Sequence, residues 1–500
     1  MKDPPDDFVA GNISRRKFIE RATAAGLTLT VLGNATENEV DAQIRKHTPA
    51  AKPGVPDWTR LQSNVQSRVV LRDSVDYENN RQTMVWNALK PERFPNAIVR
   101  VKSEADIQEA IRFARQHNLK VAIRGGGHNW QNSALRQGGL LLDLSGLNQL
   151  QVDTEYRAAV VQPGVTGAAL MANLAPHGLA FPSCHSPEVR LSGFLLNGGL
   201  GWNYGAWGPS CASIEAVDLV DARGESMHAN RNHNAELFWA ARGAGPGFFG
   251  VVTRFYLKVF SLPKVILRST LTYPFEEIDK VGAWLSLLKG VASHVELVCA
   301  FTRHGGQIFG TAFADTVSGA REALQPLKSE PRDLKALEKS FDKELSIEDV
   351  FGRANAAAPK GPRYAGDSGW SNASPRELLS GVRERIRSSP SKSFQVILWL
   401  PQGEVWSQRD MAFSMFASTY VHVHSIWSDA AEDAANQSWV RSTTTSLDPL
   451  KVGHYVGEAD LTISPDRAKQ CFSPAAWKKL NQLKRKYDPN DMFFSYLQQD

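Results

Sequence analysis

The sequence predicts an α+β protein of two lobes, and three observations predict it. Its 500 residues exceed what one ordinary hydrophobic core serves, so the chain divides. Between about residues 58 and 262, strands and helices alternate around glycine-rich turns. From about 263 to 450, alternating strand-forming runs are separated by charged helical segments, the pattern of an antiparallel sheet backed by helices. Hydrophobic residues at 42% and charged residues at 22% describe a packed chain, not a disordered one. The net charge is only +5, from 57 Lys+Arg against 52 Asp+Glu. The cations are scattered, so nothing argues for nucleic acid as a partner. Cys184, Cys211, Cys299 and Cys471 lack the close spacing of a zinc site or redox dithiol, and no metal site is expected. Thirteen tryptophans suit an aromatic-lined pocket without requiring one.

Taken in order, residues 1–42 read as a leader. Ser14-Arg15-Arg16-Lys17-Phe18-Ile19 precedes a modestly apolar run over 22–33. That run is too short to span a bilayer but has the length of a signal-peptide core. It resembles a twin-arginine export signal, with Ile19 where Leu is commoner and cleavage after Ala35 or Ala42. The resemblance implies the twin-arginine machinery as a partner, a periplasmic or secreted protein, and no stable membrane span. Polar, proline-containing residues 43–57 form a linker. Residues 97–101 make a strand, and Ser103-Glu104-Ala105-Asp106 opens a helix with a capping box. Ile107, Ala110, Ile111 and Ala114 recur at helical spacing before a second strand over 119–123. Together these form a β-α-β unit. Further strands are expected over 140–144, 158–162, 216–221 and 250–259, with a helix over 167–174. In the second lobe, strands fall over 267–273, 394–400 and 418–425. An amphipathic helix over 474–487 ends at Asp488-Pro489.

The second strand of that unit runs into Arg124-Gly125-Gly126-Gly127-His128. Consecutive glycines let a backbone approach a ligand closely and present a row of N–H groups, which suits a pyrophosphate. Two more glycine clusters follow, Asn197-Gly198-Gly199-Leu200-Gly201 and Gly243-Ala244-Gly245-Pro246-Gly247-Phe248-Phe249-Gly250. Three such loops in one lobe imply an extended ligand, and a dinucleotide fits. Residues 245–250 formally match G-x-G-x-x-G, but that site needs a following helix. Val251-Val252-Thr253-Arg254-Phe255-Tyr256 is strand-forming instead. The nicotinamide reading fails on context.

These segments resemble the berberine-bridge-enzyme-like branch of the vanillyl-alcohol-oxidase flavoproteins. Residues 121–130, 181–213 and 236–253 (ELFWAARGAGPGFFGVVT) carry the resemblance. So does the tail over 455–496, with KRKYDPNDMF. It covers the chain from about residue 90 onward and is weakest over 265–445. It implies a PCMH-type FAD-binding domain over 58–262 (core about 90–262), a substrate-binding domain over 263–450, and a C-terminal segment, 451–500, packing on the FAD domain. It further implies that His128 bonds covalently to the flavin 8α-methyl. The remaining FAD contacts would come from Arg124, Gly125, Gly126, Gly127, Asn129, Ser186, Val189, Gly193, Gly198, Gly199, Gly201, Gly250, Val251 and Val252. Many members add a cysteinyl bond to the ring. Ser186 stands at that cysteine's position and cannot form a thioether. Cys184, two residues away, would lie about 6 Å off in extended chain, at about 3.3 Å per residue, and reads as a small buried residue. Single attachment is therefore expected.

Val189 matches the position that gates oxygen in the family, though a plain packing role remains open. Arg190 departs from a family glycine. Hydride removal needs a base, and the family's Tyr-x-Asn-Tyr segment matches Tyr455-Val456-Gly457-Glu458 here. That makes Glu458 and Tyr455 the catalytic candidates; a raised-pKa carboxylate would do a tyrosine's work, while a merely exposed Glu458 stays open. Gln395, Ile397 and Trp399, with His422 and His424, share strand faces by period two and are the substrate-facing candidates. The histidine pair lacks a third metal ligand and reads as pocket or surface. His228 and His233 read as solvated. The resemblance implies an FAD-dependent oxidoreductase that takes hydride from a small alcohol, sugar, amine or phenolic molecule and passes electrons to O₂. A dehydrogenase with another electron acceptor, and a non-catalytic flavin-containing binding protein, are the alternatives.

Overall fold

The computed structural model describes residues 56–357, 359–402 and 410–497. The leader over 1–42 and most of the linker lie outside the described residues. Among those described, no helix is long and apolar enough to cross a membrane.

The first sheet has four strands in the order Arg68–Leu71, Ala97–Arg100, Leu140–Asp143, Val121–Arg124. The helix Glu104–Gln116 joins the second of these to the last. Its Ser103–Asp106 capping box is present in both directions. The two strands flanking this helix are not neighbours, as a simple β-α-β unit would have them. Leu140–Asp143 lies between them and pairs with both in parallel. Its sequence, LLLD, is buried at every position, and a strand covered on both faces takes the centre of a sheet. Asp143 ends up beside Arg124 at the strand ends, 2.8 Å from its Nη1.

The second sheet is antiparallel, in the order Leu150–Asp153, Ala158–Val161, Val251–Lys258, Ile214–Val220, Ser226–Asn230. Residues after the formal G-x-G-x-x-G thus make the central strand of this sheet, preceded only by the 3₁₀ turn Gly245–Gly247. A short helix, Leu191–Leu196, precedes the second glycine cluster, where no helix was expected. Six residues carry too little periodicity to be read from sequence. His228 is not solvated: its Nδ1 lies 2.7 Å from Asp218, which also accepts the Tyr256 hydroxyl.

The third sheet has eight strands, in the order Glu338–Glu344, Val265–Pro274, Gly305–Ala314, Val295–Thr302, Ser393–Leu400, Thr419–Trp427, Arg363–Ser371, Lys451–Gly453. Strand alternation divides its side chains between two faces. Val396, Leu398, Val421 and Val423 pack against the helices Ile278–Leu287, Pro375–Arg387 and Asp433–Ser446. On the opposite face Gln395, Ile397 and Trp399 stand beside His424, His422 and Tyr420 respectively. Trp370, Trp399 and Tyr420 join the apolar cluster of the first lobe. This face meets the glycine-rich lobe.

The C-terminal segment begins as part of the third sheet, through Lys451–Gly453, and only then crosses to the first lobe. Arg467 forms a buried ion pair with Asp367, which also accepts the N–H of Asp460 at 2.8 Å. The helix Pro474–Tyr487 buries Ala476, Leu480 and Leu483 in the first lobe's cluster. Residues 492–494 then flank Val121: its N–H donates to the Met492 carbonyl at 2.8 Å, and its carbonyl accepts from Phe494 at 3.0 Å.

Candidate active site

Beside the glycine turn lies a cleft of about 380 Å³, lined by residues of the first lobe and of the C-terminal tail. One wall is the turn after Val121–Arg124. Arg124 holds this turn from beneath. Its guanidinium pairs with Asp143 and donates to the carbonyls of Met84 (3.0 Å) and Gly126 (3.0 Å). Arg124 lines the cleft, but these bonds make it a fastener of the turn. Gly127 has φ +69, and a Cβ there would sit 2.1 Å from the Met84 carbonyl oxygen. A Cβ on Gly125 would strike Ser192 Oγ at 2.0 Å. With glycine at both positions the backbone closes down, and no protein acceptor among the described residues takes the N–H groups of Gly125, Gly126, Gly127 or His128.

His128 follows in the cleft wall. Its ring stacks on Trp86, with centroids 5.5 Å apart and planes at 23°. The Trp86 N–H donates to the Gly127 carbonyl at 2.9 Å, so one residue fixes both turn and imidazole. Burial holds the His128 pKa down at about 4, against a partial upward pull from Glu188. His424 is held at about 3, also by burial. Both rings are neutral near pH 7. An unfolded chain takes up these protons first, so the stabilisation is full above about 6.5 and is lost as pH falls through about 4. The urea midpoint of the cofactor-free chain is expected to fall as pH drops from about 7 to about 5. His128→Gln should flatten that slope, and a midpoint indifferent to pH in both proteins would contradict it.

The second wall runs from residue 184 to 197. Cys184, Ser186 and Val189 all line the cleft. Burial pushes the Cys184 thiol up to about 12. Arg190, the departure from glycine, lays its Cγ 3.2 Å from where a Gly126 Cβ would be. Its Nη1 donates to the carbonyls of Gly164 (2.6 Å) and Ser145 (3.1 Å). Gly193 has open space where a Cβ would stand. Ser192 Oγ and Asn197 Oδ1, both in the cleft wall, are buried without a partner. Gly250 and Val252 line the cleft from the central strand of the second sheet. Val251, one residue out of phase, packs in the core of the first sheet. Gly198, Gly199 and Gly201 do not line it either. Gly198 faces the Phe413 ring and Gly201 the Pro182 carbonyl, so these glycines permit close packing of protein on protein.

The third wall comes from the tail. Asn129 reaches from beside His128 to donate to the Gly457 carbonyl at 3.1 Å. Glu458 and Tyr455 both line the cleft. Tyr455 is buried, and its hydroxyl accepts the Gly199 N–H at 3.2 Å. The Glu458 side chain is about a third exposed, and the Tyr420 hydroxyl donates to its Oε2. His422 Nε2 lies 3.9 Å from the same oxygen and has no hydrogen-bond partner. His422 and His424 are buried, with Nδ1 atoms 3.4 Å apart. Both rings pack on Trp130, at centroid distances of 5.1 and 5.7 Å. Gln395, Trp399, His422 and His424 thus do not line the cleft themselves; they stand behind Trp130, Tyr420 and Glu458. No group of three metal-ligating side chains occurs among the described residues. Tyr420, Trp86, Trp130, Ser192 and Asn197 are site residues that sequence reasoning missed. The strand register, which sets Tyr420 on the face of His422, carried a signal for Tyr420, as did the quoted runs that hold Trp130 and Asn197.

The cleft fits a dinucleotide. Open backbone N–H groups, glycines whose Cβ atoms would close it, and two orphaned buried oxygens are what an extended phosphate-bearing ligand would occupy and satisfy. Comparison with known proteins agrees. Residues 95–230 match the family model described as FAD binding domain. The chain is 32% identical over 425 residues to the FAD-linked oxidoreductase janO of Penicillium janthinellum, covering 83% of this chain and 93% of that protein. Its fold is similar to that of 6-hydroxy-D-nicotine oxidase from Arthrobacter nicotinovorans. The TM-score is 0.76 at 22% identity, over 87% of this chain and 98% of the other. BBE-like 1 of Physcomitrella patens has a TM-score of 0.75 at 19% identity, over 88% and 97%. At these identities the two structures bear on the fold alone.

Proposed function

This chain belongs to the FAD-linked oxidoreductases, and from that premise we propose that it is of their berberine-bridge-enzyme-like branch, holds FAD covalently through His128 and oxidises a small organic molecule by hydride removal, with O₂ as electron acceptor. The observation that carries this reading is one cleft in which free turn amides, a neutral stacked imidazole and the Glu458 carboxylate converge. Bound FAD supplies a ring that accepts hydride, and the protein orients and shields it. The amides of 125–128 would hold its pyrophosphate, and Ser192 and Asn197 would offer it their orphaned oxygens. His128 enters the attachment as the free base, which burial favours. Ser186, with no thiol, leaves that bond single. Glu458, held by Tyr420, takes the substrate's proton. Val189, a small side chain in the wall, leaves room for O₂. The twin-arginine-like residues 14–33 support export to the periplasm or the medium, with the cofactor loaded before export.

Acid precipitation of the purified protein tests the attachment. The wild-type pellet stays yellow, whereas His128→Ala releases its colour to the supernatant. A wild-type pellet that bleaches sinks the covalent bond, and protein that never acquires colour sinks the whole reading. Fast reoxidation of the reduced protein in air, with peroxide release, separates an oxidase from a dehydrogenase.

A further inference from the structure

We infer that a second cavity, apart from the cleft, binds a small hydroxylated aromatic carboxylate, with Arg93 and Lys90 as its anion contacts. This goes beyond the flavoenzyme reading and does not depend on it. The cavity, of about 490 Å³, lies where residues 89–93 and 130–132 meet the strand Arg363–Ser371, the helix Asp433–Ser446 and the start of the tail. Among the described residues, Trp130 alone lines both this cavity and the cleft.

Charge in this cavity is unbalanced. Arg441 is paired, with Asp460 at 3.0 Å. Arg93 and Lys90 are not: among the described residues neither has a carboxylate acting on it. Arg93 Nη2 donates to the carbonyls of Gln131 (2.7 Å) and Asn132 (3.1 Å), and its Nε is buried without an acceptor. Lys90 Nζ donates to the carbonyls of Gln82 and Val85, each at 2.9 Å. Glu92 also lines the cavity, but it is exposed and acts on Arg81. Burial, with the charge of Arg136 nearby, pulls the Arg93 pKa down to about 10, which leaves it charged near pH 7. Two partly buried cations held only by carbonyls favour a ligand that brings the missing negative charge. A guanidinium matches a carboxylate in particular.

The remaining surface sets the rest of the ligand. Leu89, Pro91, Trp130 and Ala365 give the cavity apolar walls, and the indole suits a planar ring. Gln131 Oε1 and Asn132 Oδ1 are buried acceptors without a donor. Their amide nitrogens are spent on the carbonyls of Gly366 and Leu89, each at 2.7 Å. Turning either amide over would therefore only exchange one orphan for another. A phenolic hydroxyl supplies the donor that these oxygens lack. Inorganic phosphate brings charge without the ring, and a neutral phenol brings the ring without the charge.

Calorimetric titration of the full chain, as purified, with 4-hydroxybenzoate tests the site. This probe is expected to bind about tenfold more tightly than 4-hydroxybenzyl alcohol, which lacks the charge. It is expected to bind several-fold more tightly than benzoate, which lacks the hydroxyl. Lys90→Met and Arg93→Met each reduce the preference for charge, and Arg93→Lys retains more of it than Arg93→Met. Arg93 also ties down the backbone of 131 and 132, so a variant that spares both cations is needed. Gln437→Trp fills the cavity from the helix and is expected to weaken binding about tenfold or more. Glu458→Gln, in the cleft, leaves this affinity unchanged. A charge preference untouched by Lys90→Met, binding that survives Gln437→Trp, binding lost in Glu458→Gln, or inorganic phosphate binding as tightly as 4-hydroxybenzoate overturns the proposal. A colourless protein overturns the flavoenzyme reading and leaves this test intact.

Discussion

Glu458→Gln is expected to slow flavin bleaching by a substrate about 10²- to 10⁴-fold, the usual contribution of a positioned general base. The substitution keeps the shape of the side chain, and its amide oxygen still accepts from Tyr420. What it removes is the capacity to take a proton. The proposed attachment through His128, on the other side of Asn129, is expected to survive, so the acid-precipitated variant stays yellow. Anaerobic stopped-flow mixing reads the rate directly. Bleaching at the wild-type rate would remove Glu458 from the reaction, and Tyr455, whose hydroxyl accepts the Gly199 N–H, would become the remaining candidate.

Arg467→Met is expected to destabilise the fold by about 3–5 kcal/mol, the range for removing one partner of a buried ion pair. Asp367 is fully buried and accepts N–H groups from Ser368 and Asp460 as well as the guanidinium. Without Arg467 its charge stays behind, with the N–H donors of Ser368 and Asp460 and the weaker pull of His454 and Lys451. The double variant Asp367→Asn/Arg467→Met removes that charge and recovers part of the loss. Urea denaturation monitored by tryptophan fluorescence measures both. A single-variant loss below about 1 kcal/mol would show that solvent reaches Asp367 after all.

The local grammar of this chain was legible. The Ser103 capping box, the helix Pro474–Tyr487 and the strand after Gly250 each follow from a few adjacent residues, and the structure has them where the sequence put them. So was the glycine turn, because three glycines before a histidine announce a backbone that must approach something. What escaped was contact between distant segments. Trp86 precedes the first regular unit that could be read, yet it stacks on His128. Tyr420 was passed over although His422 and His424 on its own strand face were noted, because its partner Glu458 lies in a tail whose path no periodicity reveals. Gly198, Gly199 and Gly201 looked like ligand-approaching residues and instead admit Phe413, Ser210 and Pro182. Sequence shows that a glycine allows close approach, but not which atom makes it.

The strand that feeds the glycine turn is bordered by residues 492–494 on the side away from its sheet partner. Phe494 and Ser495 also line the cleft. During synthesis Val121 emerges from the ribosome long before these residues do. A nascent chain therefore exposes an unfinished edge beside an unfinished binding wall until translation has passed residue 495. The wall of the cleft is consequently completed late in the life of the polypeptide.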